Sequence, residues 1–380
     1  MRILAFICLF ITPVLLHSQD PIVVGLFYGS DHVRATITVQ KGGYDIYGDG
    51  IAFAQIDLKE SADITASGKQ VNVFYKGKNY TGFSKVEFRQ NTPAEFGIVP
   101  AGHKSNSRLY KENLIVLSYS GRLQLSNQIN VEDYVAGVIE AESGGGQELE
   151  YYSVQAIISR TYALNNLRRH AGEGFNVCDA THCQVYHGKP RHEKKADIAA
   201  QHTKDLVIVD HNIDLITAAF HSNCGGHTIN AEDVWSKPLN YLVGCQDTFC
   251  LKMPHSNWEK TFHSEKWNNY IQSQRKNSVE LTTLSQATGP RHSYYPIDSV
   301  YAIPRRTIRE DLKLRSTYFT VAHQGDQVQI FGQGFGHGVG LCQEGAMRMA
   351  QLGKRYDDII HFYYKDVHII PRYMVWFFKD

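Results

Sequence analysis

The sequence predicts an α+β fold, in which a β-rich N-terminal region is followed by a mixed α/β domain with a Gly-lined cleft. Strand-type alternation of apolar and polar residues fills the first third of the chain. An amphipathic helical pattern follows it, and a glycine-rich segment lies near the C-terminus. At 380 residues, with 43% hydrophobic and 20% charged residues, the chain can bury a sizeable core and form two domains.

The chain begins with a pattern typical of a secretory signal peptide. Met1 and Arg2 precede an apolar run over residues 3–16, and a short polar stretch ends at residue 19. The run is too short for a comfortable transmembrane span, and Cys8 lies inside it rather than at its end, which argues against a lipoprotein anchor. We therefore predict a signal peptide over 1–19, export to the periplasm or the extracellular space, and a soluble mature protein.

The next region, 20–127, is predicted to be a β-rich accessory region. Glycine-containing turn signals at 41–43 and 48–50 separate its apolar stretches. Residues of alternating polarity predict strands over 22–26, 33–39, 70–75 and 114–125. This region is expected to support the rest of the molecule rather than to catalyse.

A helix is predicted over 147–169, within a catalytic domain that spans 128–380. Apolar or small residues recur there at helical spacing, with Glu150 in the first turn and basic residues in the last turn, which is the charge order that a helix dipole favours. Glu142 lies just upstream, before a glycine-rich turn at 144–146. A carboxyl group in that position can be half buried, so Glu142 is the candidate catalytic acid.

A second glycine-rich segment, 332–353, lies about two hundred residues further along the chain. The glycines around His337 suit a close approach of backbone rather than core packing. We therefore predict that His337 and Glu142 belong to one composite site. The surrounding pattern predicts strands over 214–220 and 327–331, and helices over 265–274 and 343–352.

The charge balance argues against a nucleic-acid-binding protein. The formal net charge is +1, which gives no broad electrostatic attraction for phosphate backbones. Basic pairs such as Lys194-Lys195 and Arg305-Arg306 are interpreted as solvated surface residues. We predict no nucleic-acid partner.

The cysteines outside the predicted signal peptide are Cys178, Cys183, Cys224, Cys245, Cys250 and Cys342. An even number in an exported protein favours disulfides, and we expect one between Cys245 and Cys250. A second possibility concerns His170, Cys178, His182 and Cys183, which supply the ligand mix of a tetrahedral zinc site. Zinc binding and disulfide formation both remain possible for these cysteines. If the segment is a strand, His182 and Cys183 point to opposite sides and cannot both bind one ion.

Residues 131–164 read VEDYVAGVIEAESGGGQELEYYSVQAIISRTYAL. They resemble the stage II sporulation protein D and amidase-enhancer family, whose hallmark reads approximately L-E-x-Y-L-x-G-V-V-P-x-E and then L-E-A-L-K-A-Q-A-V-A-A-R-T-Y-A. The matching positions are Glu132, Tyr134, Gly137, Val138, Glu142, Leu149, Glu150, Gln155, Ala156, Arg160, Thr161, Tyr162 and Ala163. The likeness continues through CDATHCQVYHG, HSNCGGHTINAEDVW and FGHGVGLCQEGA, and it covers most of 108–366.

The resemblance implies a lytic transglycosylase that cleaves the MurNAc-GlcNAc bond of peptidoglycan glycan strands, with Glu142 as general acid/base. Such an enzyme produces 1,6-anhydro-MurNAc ends because the muramyl 6-hydroxyl attacks the anomeric carbon. One carboxyl group then suffices, whereas a hydrolase needs a second carboxylate nearby. The chemistry requires no cofactor, although some family members carry zinc at the motif that here spans 178–183. The sporulation branch suggests strands stripped of stem peptides as substrate.

Four further residues are predicted to bind substrate. Gln184 and Gln343 are expected to donate hydrogen bonds to sugar hydroxyl or acetamido groups, and His337 is expected to line the cleft. Glu150 either orients the substrate or serves only as a partner of the helix dipole.

Two other functions remain open at this point. The chain is alternatively a non-catalytic glycan-binding module that enhances a partner amidase, which the family's second name permits. It is otherwise a zinc-dependent peptidoglycan amidase, with Cys178, His182 or His221 holding the metal. Zinc sites rich in thiolates are usually structural, which makes the amidase the weaker of the two enzyme hypotheses.

Overall fold

The computed structural model describes residues 21–102, 108–235, 237–283 and 291–377, so the predicted signal peptide lies outside the described residues. Helices and many strands are both present, and the strands dominate the N-terminal region, which confirms the predicted α+β class. None of the helices in the described ranges has the length and apolar character needed to span a membrane.

Two mainly antiparallel sheets build the N-terminal region. One sheet has the strand order β13-β1-β12-β11-β8-β3-β4, and the other has the order β10-β9-β2-β5-β6-β7. The strands of this region are β1 (Ile22–Leu26), β2 (Arg34–Lys41), β3 (Tyr44–Gly48), β4 (Ile51–Ile56), β5 (Ser61–Ser67), β6 (Gln70–Tyr75), β7 (Lys78–Phe83), β8 (Lys85–Gln90), β9 (Glu95–Pro100), β10 (Arg108–Lys111), β11 (Asn113–Tyr119) and β12 (Arg122–Ile129); β13 (Val177–Cys178) comes from the later part of the chain.

The predicted strands of this region are largely confirmed, because alternation decides which side chains are buried. In β2, Ala35, Ile37 and Val39 are buried while the residues between them are not. The strand predicted over 114–125 is wrong as one element, since β11 and β12 pair as an antiparallel hairpin. The turn between them is formed by Ser120 and Gly121, both with positive φ, which the prediction of a single strand passed over.

Three helices follow: α1 (Val131–Ser143), α2 (Leu149–Asn165) and α3 (Lys194–His202). The Asn130 side chain caps α1 by accepting a hydrogen bond from the Asp133 N–H at 2.9 Å. The helix predicted over 147–169 exists as α2, which is shorter because Asn166 ends it. Helix α2 is buried on nearly every side, so it is a core helix rather than an amphipathic surface helix.

The rest of the chain combines short strands with small helices. The strand predicted over 214–220 is wrong, since that stretch is mostly irregular, while the other elements predicted here lie within two residues of their observed bounds. The remaining elements are β14 (Leu206–Val209), β15 (Phe220–His221), α4 (Glu232–Trp235), β16 (Asn257–His263), α5 (Ser264–Ser273), β17 (Val279–Glu280), β18 (Tyr294–Pro296), β19 (Tyr301–Pro304), α6 (Arg305–Asp311), β20 (Phe319–Gln324), β21 (Gln327–Gln333), β22 (Leu341–Cys342), α7 (Gln343–Gln351), α8 (Tyr356–Tyr363), β23 (His368–Pro371) and α9 (Arg372–Phe377).

The β-rich region and the helical region share one hydrophobic core. Strand β13 pairs in parallel with β1, and Asp179 directly after it accepts hydrogen bonds from the backbone N–H groups of Phe27 (2.7 Å) and Tyr28 (3.0 Å). The Tyr186 hydroxyl donates to Asn127 Oδ1 at 2.9 Å. Strands give way to helices between Ile129 and Val131, close to the predicted boundary at 127 and 128, but the core continues across that point.

Candidate functional site

Glu142 lies in the last turn of α1, at the entrance to the glycine-rich turn. Its Oε1 accepts a hydrogen bond of 2.7 Å from the backbone N–H of Val185. The segment that carries Val185 can approach the helix because Gly137 has no side chain: an added Cβ would lie 2.2 Å from the carbonyl oxygen of Gly188. The absence of a side chain at Gly137 therefore allows the backbone N–H of Val185 to reach the Glu142 carboxyl group.

The environment of Glu142 favours the protonated carboxyl group. Burial raises the pKa of Glu142, and the hydrogen bond from Val185 opposes that rise only in part. Among the described residues, no Lys, Arg or His side chain lies within ion-pair distance of this carboxyl group. A carboxyl group that stays protonated at higher pH than usual is suited to general acid catalysis.

Glu140 occupies a different environment, although it is only two residues away. Its carboxylate accepts hydrogen bonds from the backbone N–H groups of Arg191 (3.0 Å), His192 (2.9 Å) and Glu193 (2.8 Å). Partial burial alone would raise the pKa of Glu140, but these three donors outweigh it and lower the pKa. Because the segment is helical, the two side chains diverge, and Glu140 serves to fix the 191–193 loop.

Gln184 and Gln343 are brought toward Glu142 from two other segments. Gln184 precedes Val185 in the chain, and its Oε1 accepts a hydrogen bond from the Tyr134 hydroxyl at 3.1 Å. Gln343 begins α7 and lies beside the buried Tyr151 hydroxyl. Burial raises the pKa of Tyr151, and a hydrogen bond with the Gln343 side chain offsets part of that rise. The buried Nε2 atom of Gln184 lacks a hydrogen-bond partner among the described residues. Such orphaned donors are typical of sites that hold a ligand or ordered water.

Tyr151 is a member of this group that the sequence did not single out. Its hydroxyl lies 3.2 Å from Ser143 Oγ, and the charge of Glu142 contributes to the rise in the pKa of Tyr151. In the sequence, a tyrosine in the apolar pattern of α2 is indistinguishable from a core residue. Its spacing from Glu142 gave no signal, because a turn of undefined geometry separates the two helices.

Glu150 does not lie in this group. Its Oε2 accepts a hydrogen bond of 2.8 Å from the backbone N–H of Tyr356, the first residue of α8. That N–H group has no acceptor within its own helix, so Glu150 satisfies it and joins the beginnings of α2 and α8. The structure thus gives Glu150 a structural contact.

His337 belongs to a neighbouring aromatic group rather than to the immediate surroundings of Glu142. Its ring centroid lies 5.4 Å from those of His221 and Trp235. Burial and then the charge of Arg309 lower the pKa of His337 to about 4, so the ring is neutral at neutral pH. An added Cβ at Gly338 would lie 2.2 Å from Arg291 Nη1, which is the kind of close approach that the glycine pattern predicts.

His221 connects this aromatic group to Gln343. Strand β15 pairs in parallel with β22, which places His221 opposite Cys342, the residue directly before Gln343. The His221 Nδ1 lies 3.1 Å from the carbonyl oxygen of Val339, and its buried Nε2 has no partner among the described residues. The segments around His221 and Cys342 therefore meet through this strand pair.

Four candidate metal ligands come together around the turn at 180–183. One ligand atom from each of His170, Cys178, His182 and Cys183 lies within 4.8 Å of all the others. Cys183 Sγ is 3.4 Å from His170 Nε2, and Cys178 Sγ is 3.7 Å from His182 Nδ1. The expected conflict between His182 and Cys183 does not arise, because both lie in a turn rather than a strand.

The surroundings of His170 fit a metal ligand. Its Nδ1 lies 2.5 Å from Glu173 Oε1, so the carboxylate orients the ring and leaves Nε2 facing the cysteines. A carboxylate on the second nitrogen is a common partner of metal-bound histidines, since it fixes the tautomer. The donor set of two thiols and two imidazoles suits zinc.

The disulfide expected between Cys245 and Cys250 is wrong. Both are free thiols in the structure; Cys245 Sγ contacts the carbonyl oxygen of Phe362, whereas Cys250 lies 3.4 Å from Cys224 Sγ. Spacing along the chain misled the prediction, because the loop between 245 and 250 turns its two cysteines to different neighbours.

A cavity of about 670 Å³ lies in the small sheet of β16, β20 and β21. Trp258, Tyr318 and Phe331 supply its aromatic lining, with Arg305 among its polar residues. The residues predicted to bind substrate are not among those that line it. The half-buried Glu142 carboxyl group with its raised pKa, rather than this cavity, is therefore the centre of the candidate site.

The chain is similar in sequence to known proteins. The family model described as stage II sporulation protein matches residues 119–209. An uncharacterized protein of Brachyspira hyodysenteriae is 31% identical over 276 residues, covering 71% of this chain and 74% of that protein. Stage II sporulation protein D of Bacillus subtilis is 30% identical over 266 residues, covering 65% of this chain and 76% of that protein. The chain belongs to the stage II sporulation protein D family.

The part matched by the family model holds α1, α2 and the four candidate metal ligands, and Glu142 lies within it. A second relative, the amidase enhancer of Bacillus subtilis, is 28% identical over 285 residues. That alignment covers 60% of this chain but only 39% of the amidase enhancer. Members of the stage II sporulation protein D family thus occur both as chains of similar length and as part of a longer protein.

Proposed function

We propose that this protein is a lytic transglycosylase that cleaves the MurNAc-GlcNAc bond of peptidoglycan glycan strands, with Glu142 as general acid and then base. The observation that carries the proposal is the half-buried Glu142 carboxyl group, whose pKa is raised and which accepts a hydrogen bond from the backbone N–H of Val185. The identity of the substrate rests on the family resemblance.

The reaction needs one proton donor and one internal nucleophile. Glu142 donates its proton to the glycosidic oxygen as the bond to the anomeric carbon breaks, and it then accepts the proton of the muramyl 6-hydroxyl as that oxygen attacks the same carbon. The products are a 1,6-anhydro-MurNAc end and a free hydroxyl on the departing sugar, and Glu142 returns to its protonated form. No water is consumed, so a second carboxylate is not required.

The neighbours of Glu142 suit this order of reaction steps. Glu140 is held ionised by three backbone donors and points to another loop, so it does not act as the second carboxylate of a hydrolase. The side-chain amides of Gln184 and Gln343 would donate hydrogen bonds to hydroxyl or acetamido oxygens of the glycan. His337 and Trp235 offer a further aromatic surface for a sugar ring.

A non-catalytic role is the second candidate, because one relative is named an amidase enhancer. In that case the same residues bind glycan strands, which the protein presents to a partner amidase. A variant with the Glu142 carboxyl group neutralised would then keep both strand binding and any enhancement. The two candidates differ in whether the protein alone makes anhydro ends.

Zinc bound by His170, Cys178, His182 and Cys183 would be structural. Four protein ligands close a tetrahedral site and leave no position for a reacting water. The zinc-dependent amidase is therefore disfavoured. Zinc would cross-link His170 and the turn that carries His182 and Cys183 to β13, which carries Cys178 next to β1.

We further propose that the mature protein is exported, because family members act on the cell wall and the N-terminus has the pattern of a signal peptide. A processed N-terminus near residue 19 or 20 on secreted protein would test this, and an unprocessed cytoplasmic chain would contradict it.

The function is tested by mass spectrometry of glycan strands, with and without stem peptides, after incubation with the mature protein. We expect 1,6-anhydro-muramyl ends with the wild type and none with Glu142→Gln. Glu148→Gln is the matched control, because Glu148 is an exposed residue of the same turn. Anhydro ends from Glu142→Gln, or reducing ends from the wild type, would rule out the mechanism. Strand binding without any product would favour the enhancer, and a chelator would reveal whether activity depends on metal.

A further inference from the structure

A second cluster of metal-binding residues lies in the interior, formed by Cys224, Asp247, Cys250 and Cys342. All four residues are buried, and one ligand atom from each lies within 4.8 Å of all the others. Cys224 Sγ is 3.4 Å from Cys250 Sγ and 3.3 Å from Asp247 Oδ2. Sulfur atoms on a tetrahedral zinc ion stand roughly 3.8 Å apart, given Zn–S bonds of about 2.3 Å, so this cluster already has nearly the required size.

Three separate segments supply these residues. Cys224 follows β15, Asp247 and Cys250 lie in the loop between α4 and β16, and Cys342 ends β22. The parallel pairing of β15 with β22 brings the first and last segments together, and the Cys224 N–H donates to Cys342 Sγ at 3.2 Å. The arrangement therefore depends on the tertiary fold rather than on spacing along the chain.

Hydrogen bonds from neighbouring groups orient the ligand atoms of the cluster. The Gly345 N–H donates to Cys342 Sγ at 3.4 Å, so this sulfur receives two backbone donors. Asp247 Oδ2 accepts from the Tyr363 hydroxyl at 2.9 Å, and its Oδ1 accepts from the Phe249 N–H at 3.0 Å. Donors of this kind orient metal ligands and hold them in place.

A buried cation next to the cluster offsets part of the negative charge that its ligands would carry. Arg291 is buried, and its guanidinium group donates to the carbonyl oxygens of Cys224 and His227, both at 3.2 Å, and to the Thr317 hydroxyl. No carboxylate lies within ion-pair distance of Arg291 among the described residues. Three thiolates and one carboxylate on a divalent ion carry two net negative charges, which a neighbouring guanidinium would partly neutralise.

We propose that Cys224, Asp247, Cys250 and Cys342 bind a structural zinc ion, distinct from the candidate site at His170, Cys178, His182 and Cys183. Four protein ligands and complete burial describe a closed site without a position for substrate. The ion would join the segment that begins α7 with the loops at 224 and 250, and so hold Gln343 and His221 in place. A Cys224–Cys250 disulfide is the competing state, and it would leave Cys342 as a buried free thiol beside the buried Asp247.

Metal content separates the two states. We expect two zinc ions per chain in the mature protein, measured by elemental mass spectrometry after purification without chelator. Cys342→Ser should lose one of them, while Cys183→Ser should lose the other. Cys245→Ser is the control, because Cys245 is partly buried yet belongs to neither cluster. Unchanged zinc content in correctly folded Cys342→Ser would overturn the proposal.

Two measurements keep the proposal testable if Cys342→Ser does not fold. Thiol titration of the wild type, denatured without reductant but with chelator, should detect every cysteine of the mature chain; a result two thiols short would establish the disulfide and overturn the site. Cobalt substitution in the Cys183→Ser background should retain thiolate-to-cobalt charge-transfer absorption from the remaining three-thiolate site. Loss of that absorption would equally contradict the proposal.

Discussion

Glu142 and Glu140 lie two residues apart on one helix, and their carboxyl groups have opposite pKa shifts. Burial raises the pKa of Glu142, so ionisation costs more in the folded protein than in the unfolded chain. The stability contribution of its protonated form is complete below the ordinary glutamate pKa and is lost as pH rises through the raised pKa. We therefore expect Glu142→Gln to gain stability relative to the wild type as pH rises from about 4.5.

Glu140→Gln provides the matched control, with the opposite sign. Three backbone donors lower the pKa of Glu140, so its contribution is present above the ordinary glutamate pKa and is lost as pH falls through the lowered pKa. The Gln variant should be less stable than the wild type at neutral pH, and the difference should shrink on acidification. Urea unfolding of both variants from acidic to neutral pH measures this; parallel curves would contradict the two environments.

A buried ion pair joins α1 to α2 at the element scale. Arg160, fully buried, donates through Nε to Glu132 Oε1 at 3.0 Å and through Nη2 to Glu132 Oε2. Glu132→Ala should cost about 3–5 kcal/mol in the free energy of unfolding, because it leaves the guanidinium group buried without a counter-charge. The double variant Glu132→Ala/Arg160→Met should recover part of the loss.

The control for this prediction is Glu310→Ala, which removes an exposed ion pair with Arg306 on α6. Such a pair contributes roughly 0–1 kcal/mol, so urea unfolding should barely change. Equal losses in the two single variants would show that burial does not determine the cost.

The packing of α1 against the 184–188 segment gives a second prediction at this scale. An added Cβ at Gly137 would lie 2.2 Å from the Gly188 carbonyl oxygen, so Gly137→Ala must push the segment away. Overpacking of this kind costs about 1–3 kcal/mol, and it also displaces the Val185 N–H from Glu142. We expect lower stability and a clear loss of glycan cleavage. Gly172→Ala, where an added Cβ meets nothing within 4 Å, should change neither.

How far the sequence could predict these features depends on whether they are local. Alternation located the strands at 22–26 and 70–75, and helical spacing located α2, because each pattern reports its own burial. The four residues of the first metal cluster lie within fourteen positions, from His170 to Cys183, so their spacing revealed them. The Cys224 cluster, drawn from three distant segments, gave no such signal, and the expected Cys245–Cys250 disulfide concealed it.

The same distinction holds for the contacts of individual site residues. Glu142 stood out because it precedes a glycine turn, but its partner Val185 donates through the backbone, which carries no sequence signature. Glu150 matched the family hallmark, and only the position of α8, about two hundred residues away, showed that its oxygen is occupied. Pairings between distant segments decide these roles, and one sequence does not encode them in any local pattern.

At the scale of the whole molecule, the β-rich region is part of the same folding unit as the helices. Buried residues of β1, β12, α1 and α2 belong to one contiguous cluster, and β13 extends the first sheet with two residues from the later part of the chain. Asp179 strengthens the junction, because it also forms a 2.6 Å ion pair with Arg108. The β-rich accessory region predicted over 20–127 thus shares core contacts with the helical region, and we expect the two to fold together.

This junction leads to a prediction for truncated chains. A fragment spanning 128–380 should not fold stably, because removal of the preceding strands leaves Asp179 and Tyr186 without their hydrogen-bond partners. The mature chain should unfold in one calorimetric transition, whereas the fragment should show no cooperative transition and rapid proteolysis. A mature chain carrying Asp31→Ala, which breaks only an exposed ion pair with Arg122, is the control and should unfold like the wild type. A fragment with its own sharp transition would mean that the two regions are autonomous, and that Glu142 is positioned by the helices alone.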